Sequence, residues 1–354
     1  MTLDHGLLFT FRNPAGAGRS FVEVYAETLR QIQYAEDLGY DTIWLTEHHF
    51  AEDGYSPSVM PIAGAVAART RRARIGSYLA LTSFNNAIRF AEDAATVDLL
   101  SNGRLDLALG MGYAPHEFTG FGVPQSERRS RYLEFMDVIQ GLWTNEYFSY
   151  QGRHYQIDNA RLMPKPVQSP HPPIWVGARA PAALDRAAAA GFHFAGGTGN
   201  VEEQRVYDEA LLRHGRRPAD HHVGQLYWVH VAESDERAWE NAAAAYHWVA
   251  SSYGAMLAAA GDFAGDELVQ QVPPVTQLRA EFEARVAAGE PMLFEPIFGS
   301  PETVGDRLER AVRGSRHTHL VLSMHLPALD PVHAQRSMEL FGKEIRPRLD
   351  AAAR

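Results

Sequence analysis

The sequence predicts an α/β fold in which parallel strands are covered by helices. Three observations carry this reading. Strand-like and helix-like stretches alternate in the order βαβαβαβ over residues 5–109, the pattern of a parallel sheet with crossover helices. The strand-like stretches are apolar throughout, as expected for burial on both faces. The chain has 354 residues, enough for a (β/α)8 TIM barrel, which takes ~250 residues before insertions. Two ordinary domains would also fit that length.

The elements follow in order. His5 to Phe11 is a short apolar strand. Phe21 to Leu38 places Phe21, Val24, Tyr25, Leu29, Ile32 and Ala35 near a helical period, and a turn at Gly39 leads to a strand from Asp41 to Thr46. Pro57 to Arg69 reads as a helix with proline near its start. Arg74 to Leu81 is the third strand. Ile88 to Leu100 is a helix stopped by Asn102-Gly103. Leu105 to Leu109 is the fourth strand, and Gly110-Met111-Gly112 is a flexible run after it. Arg131 to Trp143 is helical. Tyr147 to Met163 reads as a hairpin-like insertion, and five prolines between Pro164 and Pro173 mark an extended connection. Ile174 to Gly177 is a strand, Pro181 to Ala190 a helix ending at Gly191, and Phe192 to Ala195 a short strand. Val223 to Val231 is strand-like. Asp235 to Ala260 and Gln277 to Ala288 are helices in a long excursion. Pro301 to Val312 is a helix with Ser300 as N-cap. Leu320 to Met324 is the last of eight candidate strands, and Ala334 to Ile345 the closing helix.

Composition narrows the function. A formal charge of -10 argues against a nucleic-acid binder, since phosphate backbones favour clustered Lys and Arg. There is no cysteine, which removes disulfides, thiolate metal sites and thiol catalysis. No apolar stretch is long enough to span a bilayer, and no secretory signal is visible. A soluble, cytoplasmic protein is the expectation. The histidines lack an HExxH helix or other ligand-like spacing, so no metal site is expected.

The chemistry concentrates in Thr46-Glu47-His48-His49-Phe50. A buried-looking strand ends there in an acid and two imidazoles. The C-terminal end of a parallel barrel strand is where active sites sit, and imidazole moves protons near neutral pH. Strand alternation would point Thr46 and His48 inward, Glu47 and His49 outward. The plainer alternative is a polar strand end tied by loop hydrogen bonds. Gly177-Ala178-Arg179-Ala180-Pro181 follows a strand and opens a helix, so it is the first candidate for a phosphate, with Arg179 adding charge. Gly197 and Thr198, after the next strand, are a second. Phe9, Tyr113, Trp228 and His325 are candidate substrate-pocket residues, although aromatics at strand ends are commonly core.

With Glu47-His48-His49-Phe50, Gly54, Ile75-Gly76, Arg89, Ala91-Glu92-Asp93, Leu99 to Arg104, Phe118, Phe121-Gly122 and Met324 to Pro327, the chain resembles the bacterial luciferase-like flavin-dependent monooxygenases. The resemblance covers nearly all of it. It implies a single luciferase-like (β/α)8 barrel over residues 1–354, with insertions near 145–172 and 233–300. It implies reduced FMN at the C-terminal mouth, supplied by a separate flavin reductase. Oxygen would form a flavin 4a-hydroperoxide that oxygenates a small organic substrate, and the low charge around the mouth suggests an apolar one. His48 would be the catalytic residue. Tyr78 and Leu79 would lie beneath the flavin, joined by a non-proline cis peptide, and two subunits would pair through the helices at residues 57–69 and 88–100. Two rivals share the fold: a hydride-transferring oxidoreductase that uses coenzyme F-420, and a non-catalytic flavin-binding partner subunit. One departure stands out. Where luciferase has a reactive cysteine and a phosphate-contacting arginine after the fourth strand, this chain has Gly110 and Met111.

Overall fold

The structure is a computed structural model that describes residues 3–197, 201–261, 272–290, 292 and 294–353. Its strands are β1 (Asp4–Phe9), β2 (Thr42–Leu45), β3 (Arg74–Leu81), β4 (Leu105–Gly110), the hairpin β5 (Phe148–Gln151) and β6 (Gln156–Ala160), then β7 (Ile174–Val176), β8 (His193–Gly196), β9 (Val223–Val231), β10 (Pro296–Gly299) and β11 (His319–Ser323). Parallel pairing runs β11-β1-β2-β3-β4-β7-β8-β9, and β9 returns to β11. The ring is therefore closed, as a (β/α)8 TIM barrel. The helices are α1 (Phe21–Asp37), α2 (Val59–Arg69), α3 (Ala87–Ser101), α4 (Pro115–Phe121), α5 (Arg128–Thr144), α6 (Pro181–Ala190), α7 (Val201–Arg213), α8 (Asp235–Ala260), α9 (Val275–Ala288), α10 (Pro301–Arg313), α11 (Pro331–Leu340) and α12 (Arg346–Ala352).

Local signals set most boundaries. Ser20 and Glu23 form a reciprocal capping box that starts α1, satisfying amides the first turn leaves free. Asn86 caps α3, and Asn102 ends it in the left-handed conformation at φ 56°. Ser300 accepts from the Thr303 amide at the start of α10. The first strand stops at Phe9, two residues before Phe11, whose φ of 53° leaves the extended region. The predicted closing helix is interrupted by a π-helical turn at Phe341–Ile345 and resumes as α12. The hairpin insertion is present, and cis peptides precede Pro164 and Pro170.

Four elements go beyond the predicted set, among them the short helix α4, which carries Glu117, and α12 after Ile345. β10 pairs with Trp228–Val231 at the end of β9, and the helix α7 covers β8, burying Tyr207, Ala210 and Leu211. β9 is long enough to pair with β11 along Gly224–Trp228 and with β10 beyond it.

Strand alternation divides the core. Leu7, Phe9, Ile43, Leu45, Leu107 and Leu109 pack outward against helices. Leu8, Trp44, Ala108, Trp175, Ala195 and Val321 pack inside the ring. Trp44 fits because its neighbours are small: a Cβ on Gly6 or Gly76 would stand 2.5 or 2.2 Å from its ring. Trp44 and Trp175 meet edge to face at 5.6 Å and fill the middle of the barrel. Below them, towards the strand starts, lie Asp4, Thr42, Arg74, Asp106, His193, His222 and His319. Above them lies the mouth.

Candidate active site

The wall of the mouth is made by the end of β3. The Tyr78–Leu79 peptide is cis, and the pairing with β4 skips a residue between Tyr78 and Ala80. The Tyr78 hydroxyl donates to the Gly196 carbonyl across the ring. Leu79 turns its side chain towards β4 and β7. Its terminal methyl occupies the place where a Cβ on Gly177 would stand, at 2.2 Å, and it crowds the same place on Gly110, at 2.9 Å. Both glycines thus leave room for the leucine, which accounts for Gly110 at the end of β4.

His48 stands just past β2, nearly buried. Its Nδ1 lies 2.9 Å from Oε1 of Glu117 on α4, and the same oxygen accepts the His49 amide at 2.8 Å. Glu117 is fully buried. A carboxylate accepts only, so this contact puts the imidazole proton on Nδ1 and leaves Nε2 as the other working atom. Among the described residues no hydrogen bond reaches that Nε2. Three tyrosine rings surround the imidazole: Tyr55 at 4.7 Å, Tyr113 at 5.7 Å and Tyr253 at 6.2 Å. Burial raises the pKa of each phenol, so none ionises near neutrality.

Glu47 and His49 take a different part. Glu47 accepts from the Leu81 amide at 2.7 Å, from Asn85 at 3.1 Å and from Nε2 of His49 at 3.1 Å. These contacts bind the end of β2 to the loop after β3, one of the options the sequence left open. His49 also packs edge to face on Phe121 and Phe84.

The remaining predicted positions divide. Trp228 lies within β9, paired with Ser323 at the end of β11, and His325 lies two residues past that end; Trp228 is buried beside Tyr253 at 5.9 Å, and desolvation pulls His325 down to about 4. Phe9 belongs to the layer between barrel and helices, on the face opposite Leu8, and contacts His325 at 5.4 Å. Arg179 donates to Glu203 of α7 at 2.9 Å. The Gly177 amide already donates to Leu109 at 3.2 Å. Ala178 lies between them, and Ala180 precedes α6 without a side-chain cap. The Gly197 carbonyl accepts from Gln225. Thr198 lies outside the described residues.

The sequence reading missed Glu117, Tyr55, Tyr253 and Arg12. Arg12 follows β1 and is buried between Tyr55 and Trp248, its guanidinium carbon 4.3 Å from each ring centre. It donates to Asp53 and, at 2.6 Å, to Ser252 of α8. The Tyr55 and Tyr253 hydroxyls bond each other, so α8 is tied to the loops after β1 and β2. Glu117 stands beside the quoted Phe118, but nothing in spacing links it to His48, 69 residues earlier. Among the described residues, no group of three or more His, Asp or Glu is placed to hold a metal.

The molecule is thus a closed parallel α/β barrel, and His48 with its Glu117 partner stands at the C-terminal ends of the strands, the face where barrels of this kind carry their sites. The family model described as luciferase-like monooxygenase matches residues 2–318; the chain belongs to that family, whose members include FMN-dependent monooxygenases and oxidoreductases that use coenzyme F-420. The monooxygenase RslO1 from Streptomyces bottropensis superimposes with a TM-score of 0.83 at 26% identity, over 98% of this chain and 99% of that one. The flavin-dependent trigonelline monooxygenase oxygenase component of Acinetobacter baylyi is 31% identical over 45% of this chain and 44% of its own length. The F-420-dependent glucose-6-phosphate dehydrogenase of Amycolatopsis mediterranei is 32% identical over 50% and 54%. The chain spans about half the length of the curated relatives it matches.

Proposed function

We propose that this chain is the oxygenase component of a two-component flavin monooxygenase. It takes reduced FMN from a separate reductase and uses O2 to oxygenate a small, mostly apolar organic substrate. The observation that carries the reading is His48, fixed through Nδ1 by Glu117 with no hydrogen bond at Nε2 among the described residues, inside a ring of three tyrosines. The mouth fits a flavin on its own chemistry: an apolar shelf at Leu79, packed against the cluster that holds Trp44 and Trp175. When bound, reduced flavin would supply the electrons that activate oxygen. Tyr78, Leu79, Gly177 and Ala178 would border its ring, and Arg179, Ala180 and Gly197 its phosphate. Arg179 would have to share its charge with Glu203. His48 would deliver or hold a proton at Nε2, and the tyrosines and α8 would exclude water.

The rival is hydride transfer with coenzyme F-420, favoured by the glucose-6-phosphate dehydrogenases among the relatives. An anaerobic titration with reduced FMN and with F-420, followed by air, separates the two. Tight reduced-FMN binding and substrate-coupled oxygen uptake support the monooxygenase; F-420 binding without oxygen uptake overturns it. Binding without turnover across substrates would leave a flavin-binding partner subunit. A homodimer through α2 and α3 belongs to the same reading, supported by Leu99 and Leu100 exposed on α3, as does a cytoplasmic location beside the reductase.

A further inference from the structure

The aromatic rim carries two buried hydrogen-bond donors with nothing to bond. Arg12 is 5% exposed, and its Nη1 finds no partner among the described residues. It cannot turn to find one, because Nε and Nη2 are held by Asp53 and Ser252 and the plane is stacked between two rings. Trp228 is 1% exposed, and its Nε1 is likewise unpaired. Its indole is packed by Tyr253 at 5.9 Å and Phe294 at 6.3 Å. Tyr253 joins the two donors, since its ring also lies 5.8 Å from the Arg12 guanidinium and 6.2 Å from His48. A buried donor left unpaired is costly, and fixed unpaired donors in one aromatic cluster call for an acceptor that the described residues do not supply.

The charge around them selects the acceptor. Asp53 already neutralises Arg12, and the Tyr55 and Tyr253 hydroxyls are bonded to each other. No unmatched positive charge remains in the cluster to hold a phosphate or a carboxylate. Flat ring faces next to N–H donors suit a planar molecule bearing a neutral carbonyl oxygen.

We propose that Trp228 and Arg12 recognise the substrate, and that the substrate class is a neutral ring ketone or quinone whose carbonyl oxygen accepts from their N–H groups. The inference deepens the reading of the mouth as a substrate site, but it does not depend on which flavin is used.

The test compares 1-tetralone with tetralin, the same ring system without the oxygen, by titration against the whole protein with and without reduced FMN. A site built to bond a carbonyl discriminates against the hydrocarbon, so the ketone is expected to bind at least about tenfold tighter. Trp228→Phe should erase most of that ratio, by weakening 1-tetralone more than tetralin, and Arg12→Lys should do the same if it folds. If Arg12→Lys does not fold, Trp228→Phe decides alone. Equal binding of the two probes, a ratio unchanged in Trp228→Phe, or displacement of 1-tetralone by glucose 6-phosphate overturns the proposal. Failure of reduced FMN to bind while the ratio holds overturns only the flavin reading.

Discussion

His48 keeps one ring nitrogen committed to Glu117 and the other available. Its replacement therefore separates proton handling from binding. His48→Ala is expected to lower kcat by about 10²-fold or more, the usual worth of a positioned general acid or base, with reduced-flavin affinity within a few-fold. Turnover unchanged at saturating reduced flavin would remove His48 from the chemistry. Glu117→Ala should lower kcat as well and also destabilise the fold by ~1–3 kcal/mol, because the His49 amide and the His48 Nδ1 lose a buried acceptor; denaturant titration measures the second effect. His48 was legible because it is a polar residue at the end of an apolar strand. Glu117, Tyr55, Tyr253 and Arg12 were not, because what joins them is contact between loops far apart in sequence. Gly177 was legible as a glycine after a strand, but not that Leu79 fills the space it leaves, since that contact joins two strands far apart in sequence.

At the level of elements, periodicity and capping located most of the barrel. Strands with unbroken apolar runs and helices with clear stops came through, because each carries its own local signal. β10 has four residues and begins with proline, too short for a period and dependent on the end of β9 for its bonds. α7 did carry a signal, the stripe Tyr207, Ala210, Leu211, which went unread beside its charged face. The joint between α8 and α10 tests the capping argument. Asp235 accepts from the Ser300 amide at 2.7 Å and from the Thr303 hydroxyl at 3.0 Å, while Ser300 caps α10. Ser300→Ala should cost about 1 kcal/mol, read as a lower midpoint in urea at unchanged slope.

The whole molecule should weaken in acid. At the floor of the barrel, desolvation followed by neighbouring imidazoles lowers His193 to about 3 and His319 to about 2, and desolvation lowers His222 as well. Unfolded imidazoles titrate near 6.5. Between about 6.5 and 3 the unfolded chain therefore takes up protons that the folded barrel refuses, and stability falls as pH falls. Asp4 acts the other way: burial, then Asp41, raises it to about 8, so its contribution is lost as pH rises from about 4 towards 8. The imidazoles outnumber it, and urea midpoints should drop from pH 7 to pH 5; a flat or rising midpoint would contradict neutral floor histidines. Assembly is the second test at this scale. A dimer through α2 and α3 should sediment as such at micromolar concentration, and Leu100→Glu should yield monomers.

The pair Trp44 and Trp175 closes the bore of the barrel between its two ends. Molecules reaching the rim then have no exit through the base. Under the proposed function, spent product would depart on the side where fresh reactant arrives, so crowding by excess reactant would slow each cycle, and the histidine-rich base is left free to change without touching that traffic.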